Sequence, residues 1–207
     1  MTKTTAAWTA LGLLAFGGYW LAGHPTALSA THPVDWHSEP VQSPTDRAPF
    51  ERSTRHGTFR IVPRAAYEVG AVVAHVDRYR FDHMAPLVPL DAVLTWGKLP
   101  EAPYRGRVAY DQMARFYLWS THARDLDLRY IATHSANTHL LPSDSNLRKA
   151  ILHLGRGDRV RIRGLLVDLV DGDGRTVKTS LTRTDTGAGA CEVLWVQDLQ
   201  VGDRLYR

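Results

Sequence analysis

Residues 142–164 read PSDSNLRKAILHLGRGDRVRIRG, and the pattern changes period halfway. Pro142, Ser143, Asp144 and Ser145 supply short side chains that can accept from the unpartnered N–H groups at a helix start. Leu147, Ala150, Ile151 and Leu154 then fall at i, i+3, i+4 and i+7, one apolar stripe along a helix of about ten residues. Gly155 follows as a candidate left-handed C-terminal residue. From Asp158 the period becomes two. Val160 and Ile162 share one side of a strand, and Arg159, Arg161 and Arg163 the other. Beyond Gly164 the apolar run LLVDLV is continuous, which predicts a bulge or bend at the glycine. Asp171-Gly172-Asp173-Gly174 is a hairpin signal. Residues 177–181 are the expected return strand. Residues 191–201 are a last strand, apolar on both faces and hence central.

Upstream, residues 67–80 (YEVGAVVAHVDRYR) are rich in β-branched and aromatic types. Period two puts Val72, Ala74 and Val76 on one face, and His75, Asp77 and Tyr79 on the other. Pro86, Pro89 and Pro100 mark loop, with a short strand around Trp96. Residues 109–115 read as a helical turn, and residues 116–120 (FYLWS) as a strand or helix end. The expectation is a mainly β domain over residues 52–207 with one short helix. A small β-barrel of the OB-fold type fits best, because that fold sets one helix between its third and fourth strands. A β-sandwich is the alternative.

Residues 6–22 (AAWTALGLLAFGGYWLA) carry no charge and follow the single cation Lys3. As a helix they would span ~26 Å, near the ~30 Å of a bilayer core. Tyr19 and Trp20 stand where an interfacial anchor is useful. No Lys or Arg recurs before Arg47, so the positive-inside bias leaves the body outside the cytoplasm. Residues 1–23 are thus expected to be a signal anchor in the inner membrane, single pass, with the body in the periplasm. Cleavage near Ala27-Leu28-Ser29-Ala30, releasing the body to the periplasm, is the alternative. A buried soluble helix ranks lower, because Gly12, Gly17 and Gly18 interrupt it and it has no polar face. Residues 24–51, with Pro25, Pro33, Pro40, Pro44 and Pro49, are expected to form an extended tether.

The formal net charge of +4 is scattered, whereas a nucleic-acid binder concentrates its basic residues. The expected partners are the membrane through the N-terminal helix, another envelope protein, or an anionic envelope polymer. The single cysteine, Cys191, excludes an internal disulfide. His24, His32 and His37 read as solvated. No metal or cofactor is expected.

A further pattern runs through Val88-Pro89-Leu90-Asp91 with Trp96-Gly97 and through Arg115-Phe116-Tyr117. It continues in Ser135-Ala136-Asn137-Thr138-His139-Leu140-Leu141-Pro142, in Gly157-Asp158 and in Arg163-Gly164. It closes on residues 180–187 (SLTRTDTG) and Ala190-Cys191-Glu192. Over roughly residues 60–200 the chain resembles a group of uncharacterised bacterial envelope proteins with an N-terminal membrane segment. The resemblance implies one domain with a cluster of site-like loops, and no activity.

Two polar stretches carry candidate chemistry. In residues 133–139 (THSANTH), Ser135 or Cys191 could act as a nucleophile with His139 or His134 as base. The blander reading, in which Ser135 and Asn137 bond backbone in a turn, is favoured. His134 and His139 diverge too far for one metal ion on either a strand or a helix. In residues 183–192 (RTDTGAGACE), Arg183 and Asp185 could help bind an anion. A hairpin loop with Asp185 on Arg183 and on backbone amides is favoured, and Cys191 reads as a buried strand thiol. Asn137, Arg183 and Asp185 are the ligand-binding candidates, with the row Arg159, Arg161 and Arg163 for phosphate or a sugar acid. His75 and Asp77 could pair as base and orienter. Asp171 to Gly174 lacks the late glutamate of a calcium loop. The balance falls against an enzyme and toward a membrane-anchored binding or assembly module of the envelope. An envelope hydrolase with a Ser or Cys nucleophile and His, and an OB-like nucleic-acid module, are the alternatives.

Overall fold

A computed structural model describes residues 23–185 and 189–207. The expected signal anchor thus lies almost wholly outside the described residues. The elements in order are β1 (Leu28–Ser29), β2 (Val41–Ser43), β3 (Phe50–Thr54), β4 (Gly57–Arg78), β5 (Leu90–Thr95), β6 (Ala109–Met113) and β7 (Phe116–Ser120). They continue with α1 (Leu128–Thr133), β8 (Ser135–Pro142), α2 (Ser145–Leu152), β9 (Arg159–Val170), β10 (Thr176–Val177), β11 (Glu192–Val201) and β12 (Arg204–Tyr206). The protein is mainly β. Among the described residues no helix is long and apolar enough to cross a membrane.

Five strands carry the molecule. β4 pairs antiparallel with β5 and with β9, and β5 antiparallel with β8. β11 lies parallel to β8 and antiparallel to β9. The pairings therefore run β4–β5–β8–β11–β9 and return to β4. One face of these strands buries Val69, Ala71, Leu90, Leu94, Leu140, Val160, Ile162 and Leu194 in a single cluster. α2 joins that cluster through Leu147, Ala150 and Ile151. Fully burying a Leu or Ile stabilises by ~1.5–3 kcal/mol, so the stripe fixes the helix on the sheet. Asp144 caps it, its carboxylate accepting from Asn146 and Leu147 N–H at 2.7 and 2.9 Å. The other face buries Ile61, Leu141, Leu165, Val167, Val193 and Trp195.

Several local expectations change. The inward row of β4 is Tyr67, Val69, Ala71 and Val73. A register shift between Val73 and His75 then turns Val76 inward, so a strict period of two misplaced Val72 and Ala74. Residues 109–115 are not helical, because β6 and β7 form a hairpin. Residues 135–139 are a strand rather than a turn, buried on both faces. The left-handed glycine after α2 is Gly157, not Gly155. The Pro-rich segment of residues 24–51 lies against the body: β1 pairs with β12, β2 with β4, and Val34 is buried.

Candidate active site

β5 carries a charge in its middle. Leu90, Ala92 and Leu94 face the main core, so Asp91 points to the opposite face. That face is covered too, and Asp91 is fully buried. A buried carboxylate is tolerable only when paired. Two cations meet it: Arg115 Nη1 at 3.0 Å and His139 Nδ1 at 2.8 Å from Oδ1. The histidine contact is an ion pair by distance, with the ring N–H angled off the oxygen.

Strand register assembles the rest. Asp91 stands opposite His139, and Val193 stands beside His139 on the other side. Two residues back along each parallel strand, Asn137 and Cys191 share that face. The Asn137 Nδ2 is 3.5 Å from the Cys191 sulfur. The Cys191 thiol donates to the Arg115 carbonyl at 4.0 Å, and lies near enough to His139 to favour its protonated form. Cys191, His139 and Asp91 thus lie in one row across adjacent strands, with His139 and Asp91 in contact.

The β6–β7 hairpin closes over this row. Its two-residue turn, Ala114-Arg115, holds φ of 50° and 67°, left-handed for both. Such backbone costs ~1–3 kcal/mol per residue and needs support from its surroundings. Arg115 supplies it. Its Nη2 donates to both Asp82 oxygens at 2.9 Å and to the Val88 carbonyl at 3.1 Å. Its guanidinium lies 3.9 Å from the Tyr79 ring centre. The Arg115 carbonyl accepts from Asn137 Nδ2 at 2.9 Å, and Gln112 donates to Asn137 Oδ1 at 2.5 Å.

On its other side Cys191 borders a cavity of about 430 Å³, whose walls include Tyr117, Trp119, Ala136, Arg183 and Glu192. Arg183 reaches in to pair with Glu192, and donates to the Tyr67 hydroxyl at 3.2 Å. Burial pushes the Glu192 carboxyl up to about 7, although Arg183 opposes the shift. Asp185 accepts from Ser180 Oγ at 2.8 Å, not from Arg183. The Ser180 N–H donates to the Cys191 carbonyl at 2.9 Å and closes the base of this loop.

The other candidates lie apart. Ser135 Oγ donates to the Ile131 carbonyl at 2.7 Å. His134 faces Glu39 at 2.8 Å and stacks on Tyr130. His75 faces Asp111 at 3.9 Å rather than Asp77. Arg159 stacks over Trp36, Arg161 faces Glu68 at 3.8 Å and Arg163 pairs with Asp198, so the row meets at no common point. Among the described residues no group of three or more His, Cys, Asp or Glu is placed to hold a metal ion. Asp91 and Arg115 were missed as site residues, and Asp91 had left a signal: a lone charge in the apolar run VPLDAVL. No family model, curated protein or solved structure matches the chain.

Burial alone would favour neutral His139, but Asp91 and Cys191 outweigh it and raise the imidazole to about 9. A raised value means the folded chain keeps a proton that the unfolded chain, near 6.5, releases. The stabilisation is complete below about pH 6.5 and is lost as pH rises through about 9. Thermal unfolding should show a loss on the order of 3 kcal/mol across that window. His139→Ala should flatten the profile there, and an unflattened profile would assign the dependence to other groups.

Proposed function

We propose that this chain is an exported, membrane-tethered domain on a small OB-like barrel, using Cys191 for thiol-dependent acyl transfer or hydrolysis. The body would sit in the periplasm behind an inner-membrane anchor, or be released there by cleavage. The circuit of five strands, with α2 between the third and fourth, supports the OB-like reading. Barrels of that type bind ligands on the outer face of strands two and three and on the loop joining four and five. Here those are β5, β8 and residues 171–191, the parts that carry the Cys191 row.

One observation carries the catalytic reading: Cys191 lines the cavity in the same strand row as His139, which Asp91 holds. The sulfur would attack an acyl carbonyl in the cavity, forming a thioester as the bond to the leaving group breaks. His139, held by Asp91, would give its proton to the leaving group, and water or a second nucleophile would then release the acyl group. The rate of Cys191 alkylation by iodoacetamide tests this without a known substrate. Measured at one pH near neutrality, it should fall roughly 10-fold or more in His139→Ala, as expected of a thiol that has lost its base. Equal rates for the two proteins would overturn the proposal.

A second reading, a binding or assembly module without catalysis, draws support from the apolar rim. Phe116 and Leu118, on the hairpin at the cavity wall, are 51% and 59% exposed, and Met113, paired with Phe116, is 69% exposed. Exposed apolar residues gathered in this way suit a partner.

A further inference from the structure

We infer that a basic groove beside α2 is a docking face for an anionic phospholipid bilayer, which would set the orientation of the tethered domain. The groove encloses about 990 Å³ and is lined by Arg55, His56, Arg78, Arg80 and Arg148, with Phe81 at its edge and no acidic residue. Three of its guanidinium groups are held by backbone carbonyls, not by carboxylates. Arg55 donates to Arg80 O, Arg78 to Leu152 O and Leu154 O, and Arg148 to Pro86 O. Four formal positive charges therefore share one groove with their charge uncompensated by its walls. Desolvation and the nearby Arg55 hold the Arg148 guanidinium below its usual range, as expected of like charges crowded together.

Phe81 is 92% exposed, flanked in sequence by Arg80 and Asp82. A bare aromatic ring beside arginines suits a bilayer interface, where the ring enters the headgroup layer and the cations meet phosphates.

The course of the chain favours a membrane over a soluble polymer. Residues 24–26 run alongside α2. Thr26 exchanges hydrogen bonds with Asn146 at 2.7 and 2.8 Å, and the His24 ring lies 6.0 Å from that of His153. The chain thus leads back to Gly23 at the C-terminal end of α2, where Arg78 binds the Leu152 and Leu154 carbonyls. The uncharged apolar run of residues 6–22 joins the domain at that point. An eight-residue helix is only ~12 Å long, so the described chain begins on the same side of the body as the basic groove.

The test uses the full chain in vesicles, with Phe81→Cys in a Cys191→Ser background carrying an environment-sensitive fluorophore. Vesicles of phosphatidylcholine alone are compared with vesicles that also contain phosphatidylglycerol. The label should become apolar and protected from aqueous quencher only in the anionic vesicles. Salt at ~0.5 M should reverse this. Each arginine contributes roughly 5-fold to such binding, and Arg80→Glu should weaken protection by at least that factor. A label at Leu128, exposed on α1, should stay in water. Equal protection in both vesicle types would assign the effect to the tether alone and overturn the inference. So would no protection in either. Protection by soluble polyphosphate, with none in vesicles, would make the groove a polymer site instead.

Discussion

Asp91→Ala is expected to lower stability by on the order of 3–5 kcal/mol, the range for a buried ion pair that loses one partner. For a chain of this size that is about 6–20 °C in Tm. The side chain of Asp91 is 0% exposed, and those of its partners Arg115 and His139 are only 15% and 7% exposed. The two partners do not lose equally. Arg115 keeps its two-pronged contact with Asp82 and the Val88 carbonyl. His139 loses the carboxylate that faces it. Burial, the largest influence on its imidazole, then acts almost unopposed and drives it neutral. Asp91→Asn keeps the shape and one acceptor, so it should cost less stability yet still lower the His139 value. Thermal unfolding of both variants, with an NMR titration of His139, separates the two effects. A loss below about 1 kcal/mol for Asp91→Ala would mean that the row is not a tightly packed ion-pair chain.

The sequence showed the elements whose reasons are local, and hid those whose reasons lie across the sheet. α2 was legible because its cap and its stripe are both within residues 144–151. The turn at Asp171 was legible because its side chain accepts from the N–H groups of Asp173 and Arg175, a bond pattern made within five residues. The site was half legible. Cys191, His139, Asn137 and Arg183 could be singled out as polar residues in unusual stretches. Their grouping could not, because it depends on β8 lying between β5 and β11 in one particular register. Ser135 looked as good a nucleophile as Cys191 until its hydroxyl was seen on the Ile131 carbonyl. The β6–β7 hairpin was misread for a related reason. A two-residue left-handed turn normally uses Asn-Gly, and Ala-Arg gives no such signal. What holds Arg115 there is Asp82 and Asp91, distant in sequence.

Gly164→Ala is expected to have the second large effect, a cooperative loss of about 3 kcal/mol or more. The expected bend at this glycine is present in a different form. The continuous apolar run after it reflects two covered faces of β9, with Leu166 in one cluster and Leu165 and Val167 in the other. The irregularity lies across the ladder, where β11 shifts register between Val196 and Asp198. A Cβ on Gly164 would sit 1.9 Å from the Trp195 carbonyl oxygen and 2.9 Å from its carbon. Both are backbone atoms, and β9 is pinned on its other side because Gly164 also pairs with Tyr67 of β4. Neither neighbour can give without opening the circuit of strands. Overpacking a core typically costs ~1–3 kcal/mol, and a clash with backbone belongs at or above that limit. Gly70→Ala is the informative contrast. Its Cβ would meet the Asp35 carbonyl oxygen at 1.7 Å, a closer approach still. Asp35 belongs to the segment of residues 24–51, which lies outside the circuit of five strands and is held to it by β1 and β2, by buried Val34 and by Trp36 and Glu39. That segment can lift while the five strands stay closed. Gly164→Ala should therefore lower the main unfolding transition, and Gly70→Ala should instead speed protease cleavage within residues 35–47 with little change in that transition. If Gly164→Ala melts within a degree or so of the parent, β9 and β11 are not in the tight register described. The placement of Cys191 beside His139, which rests on the same strand β11, would then fall with it.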